Sequence, residues 1–364
     1  MWHRLTWAPT GPARRRWESL PPLNLLRVLL YWPNSYLRYM LLETTVTRFR
    51  AMGTDCEVHV TAAGDAGPDL GALAIERIEL LEQSWSRFRP SSELNRLNAR
   101  AGAGPVLVSD DLLRLVQRMH DAWHRTDGLF DPTVLASMTA LGYDTDFATV
   151  LSRPATHWQD VVTAPAPGMS AVVVDRADST VTLPMGIGLD PGAIGKGLAA
   201  DMVAEELLSA GAHRVLVNLG GDIAVAGPAD DDTPWHIGLE DERRSRGSDD
   251  RLERILAVTG PQAGVATSTT MKRRWAQGRR HHVIDPRTGQ VSNGDLAQVT
   301  VVAGSACDAE VLATAALLLP STLAAAWLAD RTANGVLMLA DRTATAVLMT
   351  DEGVLVVDEG GIHV

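Results

Sequence analysis

The stretch that most restricts the fold is HRVLVNLGGDIAVAG, residues 213–227, where two runs of strand-forming residues are joined only by Gly-Gly-Asp. Such a turn leaves no room for a crossover helix, so the two strands must be antiparallel neighbours. AVVVDRADSTVTLP (171–184) repeats the pattern around a short polar turn, and TRFRAMGTDCEVHVTA (47–62) alternates like a strand with Gly53 as its bend. GVATSTT (264–270) and RRHHVIDP (279–286) read as strands on either side of a basic loop. Near the end, ADRTANGVLM and ADRTATAVLM recur eleven residues apart, which predicts two neighbouring strands of one sheet.

Helical patterns fall between these strands. DLGALAIERIELLEQSWSRF (69–88) carries apolar residues at helical spacing, with Leu73, Ile75, Ile78, Leu81 and Trp85 expected near one side. Ser109 is placed to cap a helix reaching about Arg125, with Asp110 and Asp111 complementing its dipole. A third helix is expected from about Lys196 to Ser209, ended by Gly211, and DAEVLATAALLL (308–319) opens a fourth. Sequential strands on short turns, interleaved with helices, predict an α+β fold with a mixed, largely antiparallel sheet and packed helices. No Pro/Ser linker divides residues 47–364, which read as one domain.

Composition excludes several roles. A net charge of −11 over 364 residues provides no global field to attract a polyanion, so no nucleic-acid partner is expected. Cys56 and Cys307 are too far apart in sequence for a metal motif or a disulfide framework, and read as reduced, packed thiols. The first 50 residues differ from the rest, with eight Arg against two Glu and four of the ten Trp. Arg27, Pro33 and Arg38 interrupt their apolar run, which fits neither a signal peptide nor a membrane span. Residues 1–46 are therefore read as a basic, aromatic arm, either packed on the domain or read through from a misplaced start. Contact with a membrane surface is the competing reading. Residues 228–252, rich in Asp, Arg and Ser, are expected to form a surface excursion.

Five stretches carry candidate chemistry. LDPGAIGKG (189–197) holds three glycines and a lysine but is neither standard phosphate loop. Only two residues separate Gly192 from Gly195, Lys196 is followed by Gly197, and no G-x-G-x-x-G register fits. Its glycines would still let a backbone approach a ligand at a helix start, with Asp190 either bonding that ligand or capping the turn. MKRRWAQGRRHH places five Lys or Arg between positions 272 and 280. In HHVIDPRTG, His282 and Asp285 are either a general base with its orienting carboxylate or a strand entering a turn. Glu310 and Thr314 share a helix face and offer two oxygens to a hard cation. DGLFDPTV (127–134) is a turn able to border a pocket.

In order along the chain, these pieces resemble the ApbE-type flavin transferases. The match is carried by MGT (52–54), WSRFRPSSELNRLN (85–98), GLFDPTV (128–134), LDPGAIGKG (189–197), VNLGGDIAVAG (217–227), ATS (266–268), HHVIDPRTG (281–289) and VTVVAGSACDAEVLATAALLL (299–319). The resemblance implies an ApbE-like fold and Mg²⁺-dependent transfer of FMN from FAD to a Ser or Thr hydroxyl of an acceptor flavoprotein, with release of AMP. It implies FAD contacts at Met52, Phe88, Leu129, Phe130, Asp131, Asp190, Lys196 and Ile284. It implies Mg²⁺ at the Ala193 carbonyl, Glu310 and Thr314, and a catalytic His282 beside the reacting phosphate. The chain departs from the pattern at Glu310, where many relatives have Asp, at Ala313, where some have a second Asp, and at Thr269, where Gly is common. Hydrolysis of FAD to FMN and AMP, and FAD binding without catalysis, are the alternatives. With no lipid-attachment cysteine near the N-terminus, cytoplasmic action or membrane-surface association is the expected location.

Overall fold

The computed structural model describes residues 42–228, 233–240, 252–331, 334–339, 346–350 and 353–357. The described part opens with β1 (Leu42–Ala51) and β2 (Thr54–Ala63), which turn at Met52 and Gly53 with φ of 49° and 69°. Then come α1 (Ala66–Trp85), α2 (Glu93–Asn98), β3 (Val106–Leu107), α3 (Asp110–Arg125), α4 (Leu135–Ala140) and α5 (Phe147–Ser152). The hairpin of β4 (Val173–Asp175) and β5 (Thr180–Thr182) precedes α6 (Gly195–Ser209), β6 (Arg214–Leu219) and β7 (Asp222–Ala226). The second half holds β8 (Trp235–Glu240), β9 (Leu252–Val258), β10 (Gln262–Thr269), β11 (Arg274–Trp275), β12 (Arg280–His281) and β13 (Leu296–Ala303). It ends with α7 (Ala306–Leu317), α8 (Ser321–Ala329), β14 (Asn334–Leu339), β15 (Ala346–Thr350) and β16 (Gly353–Val357).

Seven strands form the main sheet in the order β1-β2-β6-β7-β10-β13-β14. As the Gly-Gly-Asp turn requires, β6 and β7 pair antiparallel, with Leu219 opposite Asp222 and both intervening glycines at positive φ. The pairs β2–β6, β7–β10, β10–β13 and β13–β14 are antiparallel too. Helices α1, α6 and α7 pack on this sheet, while the β8–β9 ribbon closes an apolar cluster around Leu216, Val225, Ile237 and Val265. That double cover explains why every residue of β7 is buried.

Two close approaches fix the helices. Gly67 and Gly71 of α1 lie against Thr45 and Thr47, where a Cβ would sit 2.2 and 2.3 Å from the threonine hydroxyls. At Gly197 of α6 a Cβ would fall 2.4 Å from the Ala306 carbonyl, so only glycine lets α6 and the start of α7 meet backbone to backbone. The buried face of α1 runs through Leu70, Ala74, Ile78, Leu81 and Trp85. Leu73 and Ile75 do not join it and remain 37% and 39% exposed. Both stand about 60° beyond the edge of that stripe, and the small residues Gly67 and Gly71 form the close contact instead.

Ser109 caps α3 by accepting from the Leu112 N–H, and Gly211 follows α6 at φ 107°. Both cysteines are buried and unpaired. The expected boundary at 46/47 falls inside β1, while residues 1–41 lie outside the described residues. The excursion at 228–252 lies mostly outside them as well, and its described part contains β8. The two C-terminal near-repeats do contain strands, but not neighbours in one sheet. β14 joins β13 at the edge of the main sheet, whereas β15 pairs with β16. No helix among the described residues is long and apolar enough to cross a membrane.

Candidate functional site

Two groups of charged residues face one another where α6 begins. The first is acidic. Lys196, in the first turn of α6, sends its ammonium between Asp222 at the start of β7 and Glu310 on α7, bonding Asp222 Oδ2 and, at 2.8 Å, Glu310 Oε1. Glu310 Oε2 accepts the Gly197 N–H at 2.7 Å. The carboxylates are only 4% and 3% exposed, so one ammonium offsets two buried negative charges and leaves a surplus of one. Thr314, one turn beyond Glu310, hydrogen-bonds Ser268 at 2.7 Å.

The second group is basic and comes from one hairpin, β11–β12, anchored by the buried Trp275, whose Nε1 donates to Leu141 O at 2.9 Å. His282 follows β12. Its Nδ1 is sealed from solvent and has no hydrogen-bond partner, while the Lys272 backbone bonds the ring from its other side. Burial, then the charges of Arg273, His281 and Lys196, pull the His282 pKa down to about 3, and the Lys272 bond only partly opposes them. The ring is therefore neutral at physiological pH. With the Lys272 carbonyl taking the N–H of Nε2, the lone pair lies on Nδ1.

Asp285 does not serve His282. Its carboxylate grips Arg287 through both oxygens, at 2.9 and 2.8 Å, and its backbone N–H and C=O organise the Pro-Arg-Thr-Gly turn. Residues 282 and 285 are parted by a bridge at Ile284 and the start of that turn, and Asp285 is not among the groups that act on the His282 ring. Ile284 is buried against Met138, Leu141 and Trp275. His281 is structural, bonded to the Ser292 carbonyl at 3.0 Å.

The remaining candidates are held within their own loops and turns. Asp190 Oδ1 accepts the Gly192 N–H at 2.8 Å and Oδ2 meets Arg87 Nε at 3.2 Å, so this aspartate caps its loop and neutralises a buried guanidinium. Arg87 also stacks over Phe88 and Tyr143, leaving Phe88 partly exposed. Met52 holds its left-handed turn by donating its N–H to Glu82. Leu129 is half-buried, the Phe130 ring is in the core, and Asp131 accepts from the Thr133 N–H and hydroxyl and from Trp123 Nε1. Burial raises the Asp131 pKa against those bonds.

Asp222, Arg87 and Asp201 were not singled out from the sequence. Asp222 stood in the quoted Gly-Gly-Asp turn, where a polar residue needs no further explanation. Asp201 accepts the N–H groups of Ala306 and Cys307 at 2.8 and 2.9 Å, tying the start of α7 to α6 one turn beyond Lys196. Asp308 bonds Arg118 and Arg125, away from Glu310, as its helical phase requires.

Among the described residues no cluster of three or more His, Cys, Asp or Glu could hold a metal. The fit to a hard cation rests instead on a mixed oxygen set: the Glu310 carboxylate, the Thr314 hydroxyl and the Ala193 carbonyl. The unbalanced negative charge at Asp222 and Glu310 favours a cation there, so the residues suit Mg²⁺ in charge and donor type.

A model described as the ApbE family matches residues 52–349. An FAD:protein FMN transferase of Treponema pallidum (strain Nichols) is 31% identical over 285 residues, 74% of this chain and 76% of its own length. One from Vibrio cholerae is 27% identical over 274 residues, 74% and 79% of the two chains. The crystal structure of the ApbE protein from Thermotoga maritima aligns with a TM-score of 0.67 at 24% identity, covering 82% of this chain and 94% of that one. The flavin transferase ApbE from Vibrio cholerae aligns at 0.65 and 23%, covering 88% and 98%. Both structures share the α+β architecture described above, and the sequence match extends over most of it. The chain belongs to the ApbE family.

Proposed function

We propose that this protein is a transferase that moves FMN from FAD to a Ser or Thr hydroxyl of an acceptor protein, releasing AMP, with Mg²⁺ held by Ala193, Glu310 and Thr314. What supports this reading most is the solvent-sealed, unpartnered Nδ1 of His282, set among Arg273 and Lys196. An unpaired ring nitrogen in an electropositive pocket suits a base that works beside a phosphate. When bound, Mg²⁺ would neutralise charge on the diphosphate.

The acceptor hydroxyl oxygen forms a bond to the FMN-side phosphorus, and its proton passes to His282 Nδ1. The bond from that phosphorus to the bridging oxygen breaks, and AMP leaves with that oxygen. In the free protein His282 is too weak a base for this step. Its basicity is depressed by burial and by neighbouring cations, and an arriving diphosphate dianion offsets those cations. The ring thus gains proton affinity only when substrate is in place.

The test is AMP release from FAD with Mg²⁺ or EDTA, with or without an acceptor domain bearing a Ser/Thr site, and with the acceptor's mass read from the same tubes. Metal-dependent AMP matched by an FMN adduct is expected, and loss of both in His282→Asn. AMP without adduct would make the protein a hydrolase. FAD binding without any AMP would remove the catalytic claim.

A further inference from the structure

Arg273 differs from the rest of the basic loop. Arg274 donates to the carbonyls of Thr270 and Gly278, Arg279 to Ala276, and Arg280 to Leu141 and Gln159. Lys272 is engaged as well, through its backbone at His282. Arg273 is half-buried, and among the described residues its guanidinium makes no hydrogen bond or ion pair. A half-buried, permanently charged group with no partner calls for an anion.

The backbone aims it. In the β11–β12 ladder Arg274 lies opposite His281 and Trp275 opposite Arg280, so Arg273 and His282 both adjoin the open end of that ladder. Arg273 itself adopts φ 46°, a left-handed conformation unusual for a non-glycine residue, and Ala276 and Gln277 share it at 52° and 59°. Such conformations persist only where the surroundings enforce them, and here the buried Trp275 pins the loop. Of the charges acting on the His282 ring, that of Arg273 is the largest.

Resting on the function proposed above, we infer that Arg273 is the residue that grips the diphosphate of FAD, through its planar guanidinium fork, next to the reacting phosphorus. A fork of parallel N–H donors matches two phosphate oxygens, which an ammonium cannot do. The same contact would neutralise the cation that most depresses His282, coupling substrate capture to the basicity of Nδ1.

The experiment measures binding of FAD and of riboflavin, which has no phosphate, to wild-type protein and to Arg273→Ala, Arg273→Lys and Arg176→Gln. The last is a charge-matched change at an exposed turn. Arg273→Ala should weaken FAD roughly tenfold to a hundredfold, the range of a charged hydrogen-bond pair, while riboflavin changes by less than about twofold. Arg273→Lys should recover only part of the loss, and Arg176→Gln should match wild type. The pH profile of AMP release in Arg273→Ala should shift upward on its acidic side, since a depressing charge is gone. FAD binding unchanged in Arg273→Ala, or equal losses for FAD and riboflavin, would overturn the assignment while leaving the transferase reading intact. A wild-type protein that binds riboflavin but not FAD would instead sink both.

Discussion

The acidic and basic halves of the site are built in opposite ways. Lys196, Asp222 and Glu310 come from three elements far apart in sequence and satisfy one another inside the fold. Arg273 and His282 flank the two ends of one hairpin, with a guanidinium and a ring nitrogen left unpartnered among the described residues. A cluster whose members hydrogen-bond one another keeps its geometry without ligand even while its surplus charge favours a cation, whereas the basic group, with its donors and ring nitrogen unpaired, waits for an anion. The acidic half should therefore report chiefly through stability, and the basic half through affinity and pH dependence.

The sharpest way to break that division is Lys196→Met. It leaves two carboxylates, each under 5% exposed, without their shared cation, and should cost about 3–5 kcal/mol in urea unfolding. Added Mg²⁺ should raise the variant's midpoint more than the wild type's, because more uncompensated charge awaits it. A midpoint equal to wild type would mean that the acidic half is not a coupled unit. Gly197→Ala comes next. Its methyl would meet the Ala306 carbonyl at 2.4 Å, forcing α6 from α7, and should cost about 1–3 kcal/mol. It should also separate Glu310 from the Gly197 N–H, so FAD turnover should fall further than stability alone accounts for.

Asp201 sharpens the same comparison by pH. Burial raises its pKa to about 6, against the two N–H groups of α7 that pull the other way. Its ordinary unfolded value is near 3.8, so between those values the folded state holds a proton that the unfolded state has released. Stability from this group is full below about pH 4 and is lost as pH rises through about 6. Asp201→Ala should cost about 1–2 kcal/mol at the low end for the lost cap. Its deficit relative to wild type should shrink as pH climbs, by at most about 1.4 kcal/mol per pH unit. Urea melts from pH 4 to 7 would show this, and a deficit constant with pH would remove the buried-carboxyl account.

Much of the fold was legible because its rules are local. The Gly-Gly-Asp turn fixes the β6–β7 pairing whatever surrounds it, and Ser109 caps α3 through a contact three residues away. The misplaced face of α1 has a tertiary cause: Gly67 and Gly71 are chosen by Thr45 and Thr47, which the helical pattern alone cannot reveal. The near-repeats failed for a related reason, since similarity between two segments does not say which strand each will pair with. In the site, Lys196, His282 and Glu310 stood out as residue types in suggestive company. That Lys196 would lie between Glu310 and Asp222 depends on how α6, β7 and α7 converge, and that geometry is absent from any short window of sequence.

The mildest test concerns the one catalytic partner that the sequence suggested and the fold does not support. A carboxylate three residues from a histidine is a natural orienting group when both lie on a helix face, but this segment is a bridge entering a turn. There Asp285 holds Arg287, which reaches on to the Leu318 carbonyl at the end of α7. Asp285→Ala should therefore cost about 1 kcal/mol through the turn and its half-exposed ion pair. The pH dependence of AMP release should stay where wild type puts it, because His282 is set by burial, Arg273 and Lys196. An acidic limb displaced in Asp285→Ala as far as in Arg273→Ala would erase the distinction drawn here between a turn-forming carboxylate and a ligand-facing guanidinium.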